Sequence, residues 1–321
     1  MEITYSYSTH INEISDLQTH YEDYRAGFLE IAFQKNLKST PFIEEARSLK
    51  VMIQAANVKT PVELLKYDEL RTPMLTASGI SDKAKKFLNE EDQKTAIQNL
   101  ITDFLEPAGT NFIDELIYRY LLIKGDAFGG VMRNLVGNLA ERKLILSLIS
   151  SLNIAEIPYT WLDKRKQKWV DPIEDLSEIA ENCKGIYWSK KGVDRTFWLN
   201  LNIKKVNKNI DLCIFNGNPE ELSKKDFVDN EELAVAFGEL KGGIDPAGAD
   251  EHWKTANTAL SRIRQSYDPI KNIQTFFIGA AIEASMASEI FDQLKQKTLN
   301  NAANSTKPDQ ISSISSWIIN I

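Results

Sequence analysis

The 321-residue sequence predicts an α/β fold with a large helical region, and three observations lead there. Apolar and aromatic side chains recur at spacings of three and four through the first half, which is the signature of amphipathic helices. After about residue 155 the texture changes to short runs of aromatic and branched residues broken by polar turns. The last third alternates such runs with helical patterns, the arrangement of a sheet covered by helices. At this length two domains or one large one are expected, here a mainly helical region at 1–150 and an α/β domain at 151–321.

The elements follow in order. Ile14, Leu17, Tyr21, Tyr24, Phe28 and Ile31 line one face of a helix expected from Ile11 to Gln34. Pro41 is expected to open a second helix. Thr60-Pro61-Val62-Glu63 combines an N-cap residue, a first-turn proline and a capping-box glutamate. A long helix is expected from Ser81, as its cap, to Leu105, with Phe87, Ile97, Leu100, Ile101 and Phe104 inward and Pro107 as its stop. The most apolar stretch, Phe112 to Leu152, is interrupted at Lys124 to Gly130, where three glycines in six residues suggest two helices meeting at a tight turn. That turn is no phosphate-binding P-loop, since the Gly-Lys-Ser/Thr ending is missing and no strand precedes it. Strands are expected at Ile157 to Leu162, Gly185 to Lys190, Arg195 to Leu201, Ile210 to Phe215 and Ala234 to Lys241. There follow a helix from Ala249 to Gln265, a strand from Gln274 to Ile282, a helix from Met286 to Gln296, and a polar loop from Asn300 to Lys307 before a last apolar segment. No repeat of fixed period is present.

Composition excludes whole classes of function. With 43% hydrophobic and 26% charged residues the chain is neither disordered nor fibrous. A net charge of -7 means that any polyanionic partner must meet a local basic surface. One candidate is Trp161 to Lys208, where 11 Lys and Arg stand against 7 Asp and Glu, with Lys164-Arg165-Lys166 and Lys204-Lys205 clustered; the same charges would also suit a solvated hairpin. Trp169, Trp188 and Trp198 beside them are read as core. Cys183 and Cys213 are too few for a disulfide framework or a thiolate metal site and read as core residues in a reducing compartment. A basic-then-apolar leader and a run of about 18 apolar residues are both missing, so a cytoplasmic protein is expected. Three histidines, His10, His20 and His252, argue against a multi-histidine site.

The chemistry concentrates in Ala236-Phe237-Gly238-Glu239-Leu240-Lys241-Gly242-Gly243, the end of an expected strand. Alternation puts Glu239 and Lys241 on one face and Leu240 on the other, toward the core. Asp211 begins the preceding apolar strand, and pairing of the two strands would bring its carboxylate beside Glu239. Two carboxylates and one lysine suit phosphodiester hydrolysis. Hard oxygen ligands hold Mg²⁺, which takes only one or two protein carboxylates, while an ammonium stabilises charge developing on the phosphate oxygens. His252, eleven residues after Lys241 at a helix start, is a candidate general base. Asp245, on an exposed turn before Pro246, can accept a hydrogen bond from a cytosine amino group.

Asp211, the Glu239-Leu240-Lys241 triplet and the block from Gly242 through Asp245-Pro246 to His252-Trp253-Lys254-Thr255 resemble the AvaI/BsoBI family of type II restriction endonucleases. The likeness runs along most of the chain, including Ala77 to Ala84, and Gly125 to Asn134 is similar to a segment recurring in several restriction enzymes. The resemblance implies a mixed-sheet, restriction-endonuclease-like PD-(D/E)xK core. In it Asp211, Glu239 and Lys241 match the catalytic triad, with Asp211 and Glu239 on the metal, and His252 matches the proposed base. Asp245 and Glu251 fall in the block that serves base reading and cleavage, and Lys83 matches a base-contacting lysine. It also implies a homodimer that encloses double-stranded DNA, with the helical region taking part in enclosure and dimerisation. Mg²⁺-dependent cutting of a CYCGRG-like palindrome into 5'-phosphate and 3'-hydroxyl ends is expected, with a cognate DNA methyltransferase as genetic partner and no membrane. Ile210 stands where the motif name places proline. Two other readings stay open from the residues: a structure-specific or repair nuclease on the same core, and a noncatalytic DNA-binding or helical interaction protein.

Overall fold

The structure, a computed structural model, describes residues 6–223, 227–267 and 272–321. Its chain forms two compact units, one from the described residues of Met1–Leu29 and Val136–Ile321, the other from Glu30–Leu135. The unit boundary falls inside two long helices. In chain order the first five helices are α1 (Ile14–Leu17), α2 (Tyr21–Ala55), α3 (Asp68–Ala77), α4 (Glu90–Leu100) and α5 (Phe112–Ile154).

The helical unit is built around Leu49, Ile53, Leu70, Met74, Ile97, Leu100, Ile101, Leu105, Phe112 and Leu116. Five expectations are corrected in the first half of the chain. The helix expected over Ile11 to Gln34 is broken between Leu17 and Tyr21, because Thr19 leaves the helical path to donate its hydroxyl to the Ala280 carbonyl (2.7 Å). Pro41 does not open a helix but lies inside α2, at an exposed position. The helix expected from Ser81 starts later, because Asn89 makes the better cap. Its side chain accepts from the N–H groups of Glu91 (2.8 Å) and Asp92 (2.9 Å), and Asp92 returns the bond to the Asn89 N–H. Ser81 caps only a short turn through the Ala84 N–H, Phe87 is 81% exposed, and Phe104 lies under the Arg119 guanidinium, 3.7 Å from its ring centre. Lys124 to Gly130 is no turn, since α5 runs unbroken through it. Glycine costs a helix about 1 kcal/mol each, which the flanking helix formers outweigh. Thr60 likewise makes no side-chain cap, and Glu63 accepts from the Lys59 N–H (2.7 Å) at the head of a tight 3₁₀ turn.

The other unit contains one sheet, of eight strands among the described residues: β1 (Tyr159–Asp163), β2 (Lys168–Val170), β3 (Cys183–Lys190), β4 (Val193–Ile203), β5 (Lys208–Asn216), β6 (Ala234–Lys241), β7 (Gln274–Gly279) and β8 (Asn301–Asn304). The spatial order is β2-β1-β3-β4-β5-β6-β7-β8, antiparallel up to β6 and parallel from β6 to β8. The remaining helices are α6 (Leu176–Asn182), α7 (Pro219–Ser223), α8 (Ala249–Ser266), α9 (Ala284–Lys295) and α10 (Pro308–Ile318). Helices α8 and α9 are the crossovers that parallel pairing requires. This is the expected mixed-sheet α/β architecture of a restriction-endonuclease-like core. One sheet face buries Ile186, Phe197, Leu240, Phe276 and Ile278 with Leu144, Leu148 and Leu152 of α5 and Ile314 of α10. The opposite face buries Cys213, Phe237 and Phe277 with Trp253 and Leu260 of α8 and Ile290 of α9. Both cysteines are free and buried, as core residues. Among the described residues no helix is long and apolar enough to cross a membrane.

Asn300 to Lys307 contradicts the polar loop expected there, because Asn301–Asn304 is a fully buried strand. Its polarity hid it. The buried Asn304 amide is hydrogen-bonded: its Nδ2 donates to the Leu17 carbonyl (2.9 Å) and to Thr19 Oγ1 (2.8 Å), and Gln310 Oε1 accepts the Asn304 N–H (2.8 Å). The N-terminal residues are thereby strapped across β8. Asn304→Ala strands these partners in a buried setting, so urea unfolding should give a stability lower by about 1 to 3 kcal/mol.

Candidate active site

The site forms where the β5–β6 ladder ends. Regular pairing stops at Leu212 opposite Gly238, and the next residue of β5, Asp211, uses its side chain instead: Oδ2 accepts the Leu240 N–H at 2.9 Å. Along β6, Ala236 and Leu240 enter one core and Phe237 the other, so Glu239 and Lys241 share the Phe237 side. Lys241 Nζ donates to Asp211 Oδ2 at 2.8 Å and to Glu239 Oε2 at 2.7 Å. The structure therefore brings together the three residues expected from the sequence. The end of β6 is held from the other side by parallel pairing with β7 and by the Ala280 N–H, which donates to the Lys241 carbonyl at 2.9 Å.

Burial and neighbouring charge perturb the titration of this cluster. Glu239 is 2% exposed, and burial, reinforced by the charge of Asp211, pushes its carboxyl up to about 7. Burial alone would lower Lys241, but the carboxylates of Asp211 and Glu239 outweigh it and hold the ammonium above its usual range. Glu239 Oε1 is buried without a hydrogen-bond partner. An orphaned carboxylate oxygen beside a second carboxylate fits a hard divalent cation, for which Asp211 and Glu239 are the donors present. Among the described residues no set of three His, Cys, Asp or Glu side chains gathers into a metal site, so such an ion would keep other ligands, as Mg²⁺ characteristically does.

The glycines after Lys241 explain the packing around the pair. A side chain at Gly242 would meet Ala140 Cβ at 2.6 Å and the Val136 carbonyl at 2.8 Å, so α5 runs directly against this turn. At Gly243 it would meet His252 Cε1 at 2.6 Å. His252 thus lies in the first turn of α8 with its ring on the backbone two residues past Lys241. Asp245 is exposed and its Oδ1 accepts the Ala247 N–H (3.0 Å), making it the turn cap before α8; Glu251 is exposed on the first turn. Lys83 is exposed and belongs to the helical unit.

The basic segment is largely spoken for. Arg165 pairs with Asp163 (3.0 Å) and Glu178 (2.7 Å), Lys164 Nζ donates to the Glu181 carbonyl (2.6 Å), and Lys190 bonds Asn320. Trp188 is buried as expected, whereas Trp169 and Trp198 are half-buried and meet edge to face at 5.3 Å. Sequence reasoning missed Asn200 and Glu141, which lie beside Asp211 of β5 and beside the turn that follows β6. The available signal was an asparagine inside a strand of apolar residues, a residue type that tolerates positive φ, and Asn200 has φ of 57°.

Glu239 makes the metal-free protein sensitive to pH. Its carboxyl titrates higher in the folded state (about 7) than its ordinary 4.5, so the folded chain binds the proton more tightly and stability falls as pH rises through that window. Thermal melts in EDTA should therefore show wild type losing stability from about pH 5 to about pH 8, and Glu239→Gln losing less over the same range.

Comparison with known proteins agrees with this geometry. The family described as "Restriction endonuclease BsobI" matches residues 7–321. The chain is 53% identical over 320 residues to the type II restriction enzyme BsoBI of Geobacillus stearothermophilus, covering 98% of both chains. It is 48% identical over 316 residues to the type II restriction enzyme AvaI of Nostoc sp., covering 98% of this chain and 99% of that one. A match over nearly the whole length, with the acidic pair and lysine assembled at one strand end, means that the chain belongs to the BsoBI restriction endonuclease family.

Proposed function

We propose that the protein is a type II restriction endonuclease that hydrolyses phosphodiester bonds of duplex DNA at a short CYCGRG-like palindrome, leaving 5'-phosphate and 3'-hydroxyl ends. The observation that carries this reading is Lys241 held between Asp211 and Glu239 in a chain similar over its whole length to type II restriction enzymes. Asp211 and Glu239 would hold Mg²⁺. When bound, the cation supplies polarisation of the scissile phosphate and eases loss of a proton from the attacking water. Lys241 contributes a fixed positive charge toward developing phosphate negative charge, with no reorganisation at the moment of reaction. His252 accepts the proton of the nucleophilic water. Its ring rests on Gly243, which fixes it beside the strand end.

Asp245, Glu251 and Lys83 are assigned to the DNA, Asp245 as acceptor for a cytosine amino group. Palindromic specificity follows from two-fold protein symmetry, so the enzyme acts as a homodimer, one strand per subunit. An apolar stripe on α2 supports association: Leu29, Phe33 and Leu37, one helical turn apart, are 61%, 61% and 52% exposed. The region 1–150, partly interleaved with the core, helps enclose the duplex and form the dimer, and 151–321 carries the catalytic residues. Such activity endangers the host's own DNA, so a cognate methyltransferase accompanies it in the cytoplasm.

Digestion of a plasmid of known sequence with Mg²⁺ tests this directly. Discrete fragments with sequenced ends at CYCGRG sites are expected; a smear, or cutting only at junctions, would refute site specificity. Asp211→Ala and Lys241→Ala should abolish cleavage while retaining DNA binding. For His252→Ala, single-turnover cleavage should slow by about 10²-fold, and an undiminished rate would remove the imidazole from the mechanism.

A further inference from the structure

The turn of α5 that packs against Gly242 also reaches β4 through a polar contact outside the triad. Asn200 Nδ2 donates to Glu141 Oε1 at 2.9 Å, and the Asn200 carbonyl accepts from Lys184 Nζ at 3.4 Å. Asn200 occupies a particular place. The β4–β5 register pairs Leu199 with Leu212 and Leu201 with Ile210, which sets Asn200 opposite Asp211 in the gap between them. It is also where β4 adopts left-handed backbone, with φ of 57°, a conformation of higher energy for a residue with a side chain. A residue in that state persists when its surroundings hold it, and here a carboxylate and an ammonium grip its side chain and its carbonyl. Glu141 follows Ala140, whose Cβ would lie 2.6 Å from a side chain at Gly242. One helical turn therefore touches the neighbour of Asp211 and the neighbour of Lys241.

We propose that Glu141 is a positioning residue for catalysis: by fixing Asn200 opposite Asp211, it sets the placement of the Asp211 carboxylate for the cation. The inference rests on the nuclease reading above. Glu141 acts through Asn200 and does not touch the metal or the DNA. The acceptor oxygen is what matters, so glutamine at this position serves where alanine does not.

The test uses the full-length protein with Glu141→Ala, Glu141→Gln, Asn200→Gly and the double variant Glu141→Ala/Asn200→Gly. Glycine tolerates the positive φ while deleting the link. Mn²⁺ binding followed by electron paramagnetic resonance is read beside the kcat and KM of Mg²⁺-dependent cleavage. Glu141→Ala and Asn200→Gly are each expected to weaken Mn²⁺ binding and lower kcat by about 10- to 100-fold with KM changed little, the range typical of groups that orient metal ligands. The double variant should be no worse than either single one, because both break the same link. Glu141→Gln should recover most of the kcat and of the Mn²⁺ affinity. The proposal is overturned if Glu141→Ala binds Mn²⁺ like wild type, if the two single effects multiply in the double variant, or if Glu141→Gln is as defective as Glu141→Ala. Should Glu141→Ala fail to fold, Asn200→Gly and Glu141→Gln decide by the same criteria. A wild-type protein that binds Mn²⁺ but leaves DNA intact would sink the nuclease reading alone, and the variants' Mn²⁺ affinities would still judge this one.

Discussion

The Lys241 ammonium suspended between Asp211 and Glu239 is the interaction on which the site depends. It lies where the β5–β6 ladder gives out, so the fold supplies an unpaired strand end and the side chain of Asp211 closes it by taking the Leu240 N–H. Two acids at this separation repel each other, and one of them is buried. The amine relieves that repulsion in the metal-free protein. A cation on the same carboxylates would relieve it as well. A buried pair of like charges costs the fold stability, and such perturbed groups are a common feature of sites assembled for chemistry.

The surrounding elements exist to hold that strand end still. β7 pairs with β6 in parallel and continues the bond pattern past Lys241 through Ala280. Helix α8 brings Trp253 into the core below and His252 onto Gly243, while α5 closes against Gly242. Glycines at 242 and 243 serve closeness of approach: any side chain at Gly242 collides with helix backbone, whereas one at Gly243 collides with a ring that can turn.

Much of this was legible in the sequence. The apolar run from Ala234 to Lys241 marks the strand to the residue, and the alternation of side chains along any strand puts Glu239 and Lys241 on one side. Apolar runs gave β3 to β7 and helices α8 and α9 within a few residues, because their cores are made of branched and aromatic side chains. Polar segments were opaque. Asn301–Asn304 reads as loop because nothing in its composition announces that the Asn304 amide has a partner 287 residues away. Helix breaks were misjudged in both directions: the glycines of 125–130 and Pro41 lie within continuous helices, because a long helix absorbs a local cost of a few kcal/mol or less, whereas Thr19 ends one for a tertiary hydrogen bond. The clustering of Asp211, Glu239 and Lys241 follows from local spacing. That of Glu141 and Asn200 does not, for their relation to Asp211 exists only in the folded register.

Thr19 reaches the Ala280 carbonyl with its hydroxyl and accepts the Ile282 N–H, and Ala280 in turn holds the Lys241 carbonyl, while Leu17 is tied to Asn304. These bonds join segments separated by more than 260 positions, so the brace behind the end of β6 exists only once both segments have met. Closure of this kind carries the entropic cost of contacts between distant parts of a chain, which makes the strand end a late-forming part of the fold.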